Sequence, residues 1–553
     1  MSVLRFPDVS IPGAFETGEA TMDDHQDLYD VIFVGGGHNA LVAAAYLTAA
    51  GRSVLVLDNN DRPGGFVRTD EIMPGFRGDT FSAAHTLFLT GPVYRDLGAK
   101  LESFGLRYVD PVFPSGVSME DGTTAVMPRT MEEFVAEADR LVPGDGAMFR
   151  ELIEELAPLV GDVFALFSQD LTSAEAKQIR ARLLTGSGGV GFSAFAASLV
   201  ESARDVVDRF ASATLRSMLG SWATHFGKGP DDAGGGIWVK LFVLASMQGG
   251  LPVPEGGSGR LAEALVRLVA DQGGTVRAGA HVTQIVVEGG RAVGVRTEHG
   301  EFVRAVDAVV ASVTPDQLYL GLLSDADMPT ELIRQASRYR YGRGQLQLNL
   351  ALSRPPRWPD ERFDRMGQPF LTDSLDGLAL HVAHTQASLL PSKPTFSVQV
   401  PTAVDPTRAP EGRAVMRVQV TDVPTRPRGD AAGVIEVGEV GWTQDLTSRF
   451  VERVLNTLER HAPGITGSIL GHTVVTPADI ASFNLNTGPG DAYAGAQDLA
   501  QSYLFRPLVG QPSHRTAVPN VYMIGAATWP GGGVSGSSGY IVARQLLADG
   551  VRS

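Results

Sequence analysis

The chain contains no cysteine. That excludes disulfides, thiolate metal sites, a redox-active dithiol and a cysteinyl bond to a flavin. No run of 18 apolar residues occurs either, so no transmembrane helix is expected. Positive charge is short: 46 Lys and Arg stand against 62 Asp and Glu, a formal net charge of −16. Without a basic cluster the chain lacks the footprint of a nucleic-acid binder. The same sign opposes attraction to anionic lipid, which leaves peripheral membrane contact only to an apolar patch. The opening MSVLRFPDVSIPGAF shows no charged region followed by an apolar stretch, so no secretory signal is expected and a cytoplasmic location is the default. There is no internal repeat and no low-complexity tract.

What is present is a globular composition, 43% hydrophobic and 20% charged, over 553 residues. At about 150 residues per domain this implies two to four units. The chain is organised around Tyr29 to Asp58, YDVIFVGGGHNALVAAAYLTAAGRSVLVLD. Asp30–Val34 is a short β-branched run suited to a buried parallel strand. His38–Ala50 is an Ala- and Leu-rich helix stopped by Gly51, and Ser53–Leu57 is a second strand ended by Asp58. That order fits a dinucleotide. Gly35 makes the turn, Gly37 lets a pyrophosphate approach the backbone, and Ala40 takes the close-packing position. The phosphates then lie at the positive end of the helix. Asp58, 23 residues after Gly35 (58 − 35), is placed for a ribose hydroxyl and disfavours NADP. Just beyond it, Asn59–Thr69 (NNDRPGGFVRT) holds a second hinge, Gly64-Gly65, between Arg62 and Arg68, an arrangement that can face an anion.

Residues 1–27 read as a flexible or surface-draped tail. Residues 28–114, 251–314 and 491–553 carry strand and glycine signals and are expected to assemble one α/β, Rossmann-type nucleotide-binding domain from discontinuous pieces. Within them HVTQIVVE and RAVGVRT flank Gly289-Gly290 as a hairpin. Residues 115–250 are mostly helical, over Met131–Val142, Arg150–Phe167, Val200–Leu219 and Ile237–Met247, with a break at Thr185–Gly191. Residues 315–490 mix strands and a helix at Ser448–Ala462, and their alternating QLQLNLA reads as a strand with one wet face. Together these two inserts are expected to form a mixed α+β substrate domain with a helical cap. The C-terminal region returns to a buried strand, Val521–Ile524, then a glycine loop and a final helix at Tyr540–Ala548.

Three motifs now stand together: GGGHNA with Asp58, RPGGFVRT, and IGAATWPGGGVSGSSG. The set resembles the phytoene-dehydrogenase-like (carotenoid desaturase-type) flavoproteins of the wider amine-oxidase-like FAD superfamily, over residues 29–550. The resemblance implies noncovalent FAD and hydride removal from carbon, usually with desaturation of a C–C bond. It gives Gly35, Gly37, Asn39 and Ala40 the pyrophosphate and Asp58 the adenosine ribose. Gly64, Gly65 and Arg68 would line the middle of FAD, Val282 would meet the adenine, and Gly525, Ala526, Gly533 and Val534 would sit beside the isoalloxazine. The last helix would point its positive end at the ring edge that gains charge on reduction.

The chain departs from the family twice. Phe66 stands where relatives often carry a basic or small residue, and Trp529 replaces the His of their T-H-P-G. Trp529 is either an aromatic wall with one N–H donor at the flavin or a sideways packing residue. His85, in the apolar stretch FSAAHTLFL, is the candidate to touch substrate as a base; His225 lies in an inserted helical region. His381 and His384 lack an evident third partner, so no metal is expected. The expected substrate is a largely apolar or cyclic small molecule, with oxygen, a quinone or another protein as electron acceptor. The alternatives are a flavin amine oxidase, a flavin-dependent isomerase, or a non-catalytic protein that FAD merely stabilises.

Overall fold

The computed structural model describes residues 28–185 and 192–550. The tail read over 1–27 and residues 186–191 of the break lie outside the described residues. Two seven-stranded sheets form the frame. In the first, Leu28–Val34 is the centre, with Val54–Leu57 and then Thr275–Arg277 on one side and Phe302–Ala311 on the other, all parallel. Beyond Phe302–Ala311 lies the antiparallel hairpin Val282–Glu288/Arg291–Thr297, while Val521–Met523 pairs in parallel with its far end at Val309–Ala311. Gly289 and Gly290 both take positive φ, 57° and 78°, as a two-residue turn matched to strand twist requires.

Helix His38–Ala49 packs under this sheet with Ala40, Ala43, Ala44 and Ala45 all fully buried. Small side chains let two other helices come close. A Cβ on Gly539 of helix Ser537–Asp549 would lie 2.0 Å from the Asn39 carbonyl oxygen, so only glycine fits that crossing. Helix Gly259–Asp271 supplies the third layer through Leu261, Leu265 and Leu268.

The second sheet runs Ile469–Val475, Gly344–Leu352, Ala414–Val423, Phe396–Gln399, Met366–Thr372, Phe113–Met119, Thr124–Met127. Its apolar face packs on helix Gln444–His461 through Phe450, Val454 and Leu458. The other face corrects the reading of a wet strand: every residue of Gly344–Leu352 is buried, polar ones included. The polar positions bond to one another and to the first half of the fold, as when Gln347 Nε2 donates to the Asp79 carbonyl at 2.7 Å. The helical insert also departs from expectation. Val200–Leu219 is broken into Ala203–Val207 and Ala213–Gly220, because Ser202 and Ser212 each cap a new helix start.

Candidate functional site

The first glycine turn and the second are in direct contact. The Gly64 N–H donates to the Gly36 carbonyl at 2.8 Å, and a Cβ on Gly65 would lie 3.4 Å from Gly37 Cα. Gly35 (φ 91°), Gly64 (φ 125°) and Gly65 (φ 60°) need glycine for their backbone. Gly37 does not: its φ of −61° suits any residue, and the nearest atom to an added Cβ is Ser312 Oγ at 3.8 Å. Gly37 opens helix His38–Ala49, whose first turn has neither a capping side chain nor an acidic residue. The leading N–H groups of that helix are therefore left for an anion.

Asp58 closes one side. Its Oδ2 accepts from the Gly36 N–H at 2.7 Å and its Oδ1 from Asn60 at 2.8 Å, while burial pushes its pKa up. Each oxygen keeps a lone pair for a hydroxyl. The Ala280 N–H donates to the Asp58 carbonyl at 2.8 Å, which ties the start of the hairpin, and Val282 two residues on, to this tip. Val282 itself is buried with Ile32, Leu55 and Leu57.

Two residues make contacts beyond their expected use. The Asn39 side chain locks helices together, its Oδ1 accepting from the Gly539 N–H at 3.3 Å, while its Nδ2 lies 3.1 Å from His38 Nε2. Arg68 is held by Asp61 at 2.8 Å and Asp70 at 3.1 Å, so its charge is already compensated. It also lies over the ring of Phe483, 5.3 Å from the centroid. Phe66, Phe81 and Phe483 form a half-buried aromatic group, with Phe66 and Phe81 stacked at 4.4 Å. This explains the departure at Phe66, which trades a polar contact for a flat apolar one.

The C-terminal segment arrives at the same place. Ile524 N–H bonds to the Ala311 carbonyl at 3.0 Å, and Gly525 (φ 101°) turns the chain beside Ser312, where an added Cβ would come 3.3 Å from Ser312 Oγ. The Gly525 N–H donates to Ser538 Oγ at 3.0 Å, and the Ala526 carbonyl accepts from Arg506 at 2.7 Å. Gly533 (φ 119°) is hydrogen-bonded through its backbone to His38, and Val534 enters the core beneath the first helix. Ser312 thus faces Gly35, Gly37 and Gly525 at once. No motif in the sequence marks this serine. Its position just past a central parallel strand is where such sheets take ligands, and that signal is present in the sequence.

His85 has no free ring nitrogen with which to act as a base. The ring is fully buried and shares hydrogen bonds with Tyr108 OH at 3.0 Å and Ser258 Oγ at 2.9 Å. Burial pushes its pKa down to about 3. The sign of the consequence is fixed. Between about pH 6.5 and about pH 3 the unfolded chain takes up a proton that the native ring refuses, so stability rises with pH across that window and is lost on acidification. The contribution is about 1.4 kcal/mol per pH unit. Urea unfolding from about pH 6 to about pH 4 should show a shallower acid loss in His85→Gln by that amount; equal slopes would overturn this.

Trp529 takes the packing role. Its indole N–H donates to the Leu166 carbonyl at 2.9 Å and its ring stacks on Phe167 at 5.5 Å, so no donor is left for a substrate. Its catalytic reading is corrected accordingly. Trp529→Phe should lose about 1 kcal/mol of stability, the worth of one hydrogen bond, while retaining FAD; a large loss of cofactor on gel filtration would count against the packing role. His381 is likewise occupied, its Nδ1 accepting from the Thr395 N–H at 3.1 Å, and no metal-holding group of three ligands occurs among the described residues.

Across from the glycine loop stand residues that local sequence does not single out. Tyr493 packs 3.1 Å from where a Cβ on Gly532 would be, and its OH donates to the His225 carbonyl at 2.8 Å. His225 Nδ1 has no hydrogen-bond partner among the described residues, and burial together with the Arg417 charge pushes its pKa down to about 4. Phe167, Trp238 and Phe226 stack in sequence at 5.8 and 5.5 Å, giving the cap an aromatic wall that continues to Trp529.

These residues fit a flavin dinucleotide. Gly37 is bare for no reason internal to the protein, the helix start behind it is uncapped, and the Asp58 carboxylate stands beside Gly36 with lone pairs to spare. Comparison with known proteins agrees. The family model for flavin containing amine oxidoreductases matches residues 41–547. The chain is 28% identical over 558 residues to pyridine nucleotide-disulfide oxidoreductase domain-containing protein 2 of Mus musculus, covering 94% of each. It is 26% identical to one of the limonene dehydrogenase polypeptides of Castellaniella defragrans, covering 94% of each. Against the lycopene-forming phytoene desaturase of Pseudescherichia vulneris identity is 24%, with 91% of this chain and 96% of that one covered. Among solved structures, cyclohexylamine oxidase from Brevibacterium oxydans shares the fold at a TM-score of 0.55 and 15% identity, over 94% of this chain and 99% of that one. Among the described residues no helix is long and apolar enough to cross a membrane. The chain belongs to the flavin containing amine oxidoreductase family and is an FAD-dependent oxidoreductase.

Proposed function

We propose that the protein is a dehydrogenase that removes a hydride from carbon in a small molecule with a largely apolar or cyclic frame, leaving a C–C double bond. The observation that carries this reading is the meeting of two sequence-remote glycine segments, Gly35–Gly37 and Gly525, on Ser312, with the Gly64-Gly65 turn against the first of them and an aromatic stack in the cap. The names of two relatives, a limonene dehydrogenase and a phytoene desaturase, support the choice of reaction. The mouse relative's name mentions a disulfide oxidoreductase, and the absence of cysteine rules out a dithiol here.

Bound FAD supplies the two-electron acceptor for the hydride. The chain's own residues do the rest. Asp58 and the first turn of helix His38–Ala49 hold the dinucleotide, ribose by hydrogen bond and pyrophosphate by main-chain N–H. Phe167, Trp238 and Phe226 receive the apolar frame and exclude water. The second hydrogen leaves as a proton, and His225 Nδ1, neutral and without a partner among the described residues, is its acceptor. The test is anaerobic. Purified yellow protein mixed with a panel of cyclic alkenes and their carboxylic acids should bleach with at least one of them and yield a product two hydrogens lighter. Peroxide with an imine product would move the reading to an amine oxidase, and turnover without any acceptor would move it to an isomerase.

A further inference from the structure

Gly531, Gly532 and Gly533 form a loop with little polar restraint. Gly531 and Gly533 take positive φ, 110° and 119°, a conformation that favours glycine. Among the described residues no main-chain N–H of the three is hydrogen-bonded, and of their carbonyls only that of Gly533 is. Its partner is His38, the first residue of helix His38–Ala49. Tyr493 and Leu87 also lie against the loop, 3.1 and 3.4 Å from where Cβ atoms on Gly532 and Gly533 would be. Glycines give such neighbours no side chain to grip, so the bond to His38 is the directional restraint.

The state of the His38 ring follows from Asn39. Asn39 Oδ1 accepts from the Gly539 N–H, which turns its Nδ2 toward His38 Nε2 at 3.1 Å. An amide nitrogen only donates, so Nε2 carries a lone pair and the ring proton sits on Nδ1. The Gly533 backbone favours the protonated ring, the sign of a carbonyl that accepts. Nδ1–H therefore donates to Gly533. Burial pushes the pKa of His38 down to about 4 and that of its neighbour His85 to about 3, so both rings are neutral at pH 7. An imidazolium at His38 would set a second N–H against the Asn39 amide. The neutral ring closes a line of bonds from Gly539 through Asn39 and His38 to Gly533. Two adjacent residues of the first glycine motif thus hold the segment Gly533–Gly539 at both ends. At Gly539 the hold is also steric, since a Cβ would lie 2.0 Å from the Asn39 carbonyl oxygen. At Gly533 it is the imidazole.

We propose that His38 is a positioning residue for the flavin, a neutral imidazole protonated on Nδ1 that fixes the Gly531–Gly533 loop to the first dinucleotide turn, so that the loop meets the ring in one register. This rests on the reading that sets Gly533 and Val534 beside the isoalloxazine. The test uses FAD-loaded protein at saturating FAD. In His38→Leu, amide exchange of Gly531–Gly533, followed by mass spectrometry, should quicken by about 10-fold, the worth of one hydrogen bond, with helix His38–Ala49 still protected. The fine structure of the visible flavin band should blur and flavin fluorescence should rise. FAD should stay bound, its Kd raised about 10-fold or less, because the main-chain N–H groups behind Gly37 are untouched. In His38→Gln the amide oxygen can accept from Asn39 and the amide nitrogen can donate to Gly533, so exchange and spectrum should return toward the parent. If His38→Leu fails to fold, 15N NMR of labelled histidine in the parent decides, with the His38 signals assigned by their absence from His38→Gln: the ring should be the neutral Nδ1–H tautomer. An Nε2–H tautomer, parental exchange in His38→Leu, or a His38→Gln no better than His38→Leu would overturn the proposal. Quickened exchange with an unaltered flavin spectrum would overturn it differently, by removing the ring from beside this loop.

Discussion

Gly37→Val is expected to leave the fold intact and to strip the protein of FAD. A glycine can be required by the protein or by what it binds, and the two cases differ here. At Gly64 the protein itself demands one, since φ is 125° and a Cβ would lie 2.6 Å from that of Ala262. At Gly37 φ is −61° and the surroundings are open, with Ser312 Oγ at 3.8 Å as the nearest atom to a Cβ. A Cβ there meets no protein atom it must displace. It does fill the approach to the uncapped N–H groups of helix His38–Ala49. Losing two hydrogen bonds to a charged group removes about 3 kcal/mol or more, which is roughly two orders of magnitude in Kd. Far-UV circular dichroism should match the parent, while flavin fluorescence in a filtrate should rise to stoichiometric release. A yellow Gly37→Val protein with parental FAD affinity would remove the pyrophosphate from this loop.

That contrast also marks what is legible from sequence alone. The strand, glycine turn, helix and acidic tip of Tyr29–Asp58 are local, and each residue's part is set by neighbours a few positions away. The hairpin at Gly289-Gly290 is legible for the same reason, because turn geometry selects its residues. Trp529 is not. Whether an indole faces a ligand or packs sideways depends on Leu166 and Phe167, more than 360 residues earlier (529 − 167 = 362). His85 is illegible because a histidine in an apolar stretch looks the same whether its nitrogens are free or bound, and Ser258, 173 positions on, decides it.

The second sheet shows what pattern leaves out. QLQLNLA alternates as a half-wet strand should, yet both faces are buried. Periodicity reports which residues share a face and says nothing of what covers it. Here the polar face is covered by segments bearing Asp79, Thr80 and Phe81, reached by Gln347 and Arg417. A buried row of glutamines on a sheet is an arrangement that needs partners, and the partners come from the segment Asp79–Phe81. The interface between this sheet and the segment Asp79–Phe81 is therefore where the chain departs from simple apolar packing.

The same interface carries the largest expected effect on stability, at Asp79. Its Oδ2 meets Arg408 Nη2 at 2.8 Å, with side chains 2% and 0% exposed, and Asp405 stands on the other side of Arg408 at 3.8 Å. Its Oδ1 accepts from the Ser258 N–H at 2.8 Å and from Thr69 Oγ at 2.7 Å. One carboxylate thus joins the hairpin Thr69–Met73/Phe76–Asp79, the start of helix Gly259–Asp271 and the loop before strand Ala414–Val423. Asp79→Ala leaves Arg408 buried with a weaker, longer-range partner and two donors unpaired. Removing one member of such a pair costs about 3–5 kcal/mol, most of it the penalty of the charge left behind. Urea unfolding followed by circular dichroism should show that loss. The double variant Asp79→Leu with Arg408→Met removes both charges and should recover part of it, because an apolar pair is often no worse than a buried ion pair, while Asp405 is left without its arginine. If Asp79→Ala lost under about 1 kcal/mol, or if the double variant were the sum of two large losses, the carboxylate would be a bystander. The joint between this hairpin and the second sheet would then rest on the glutamine row alone.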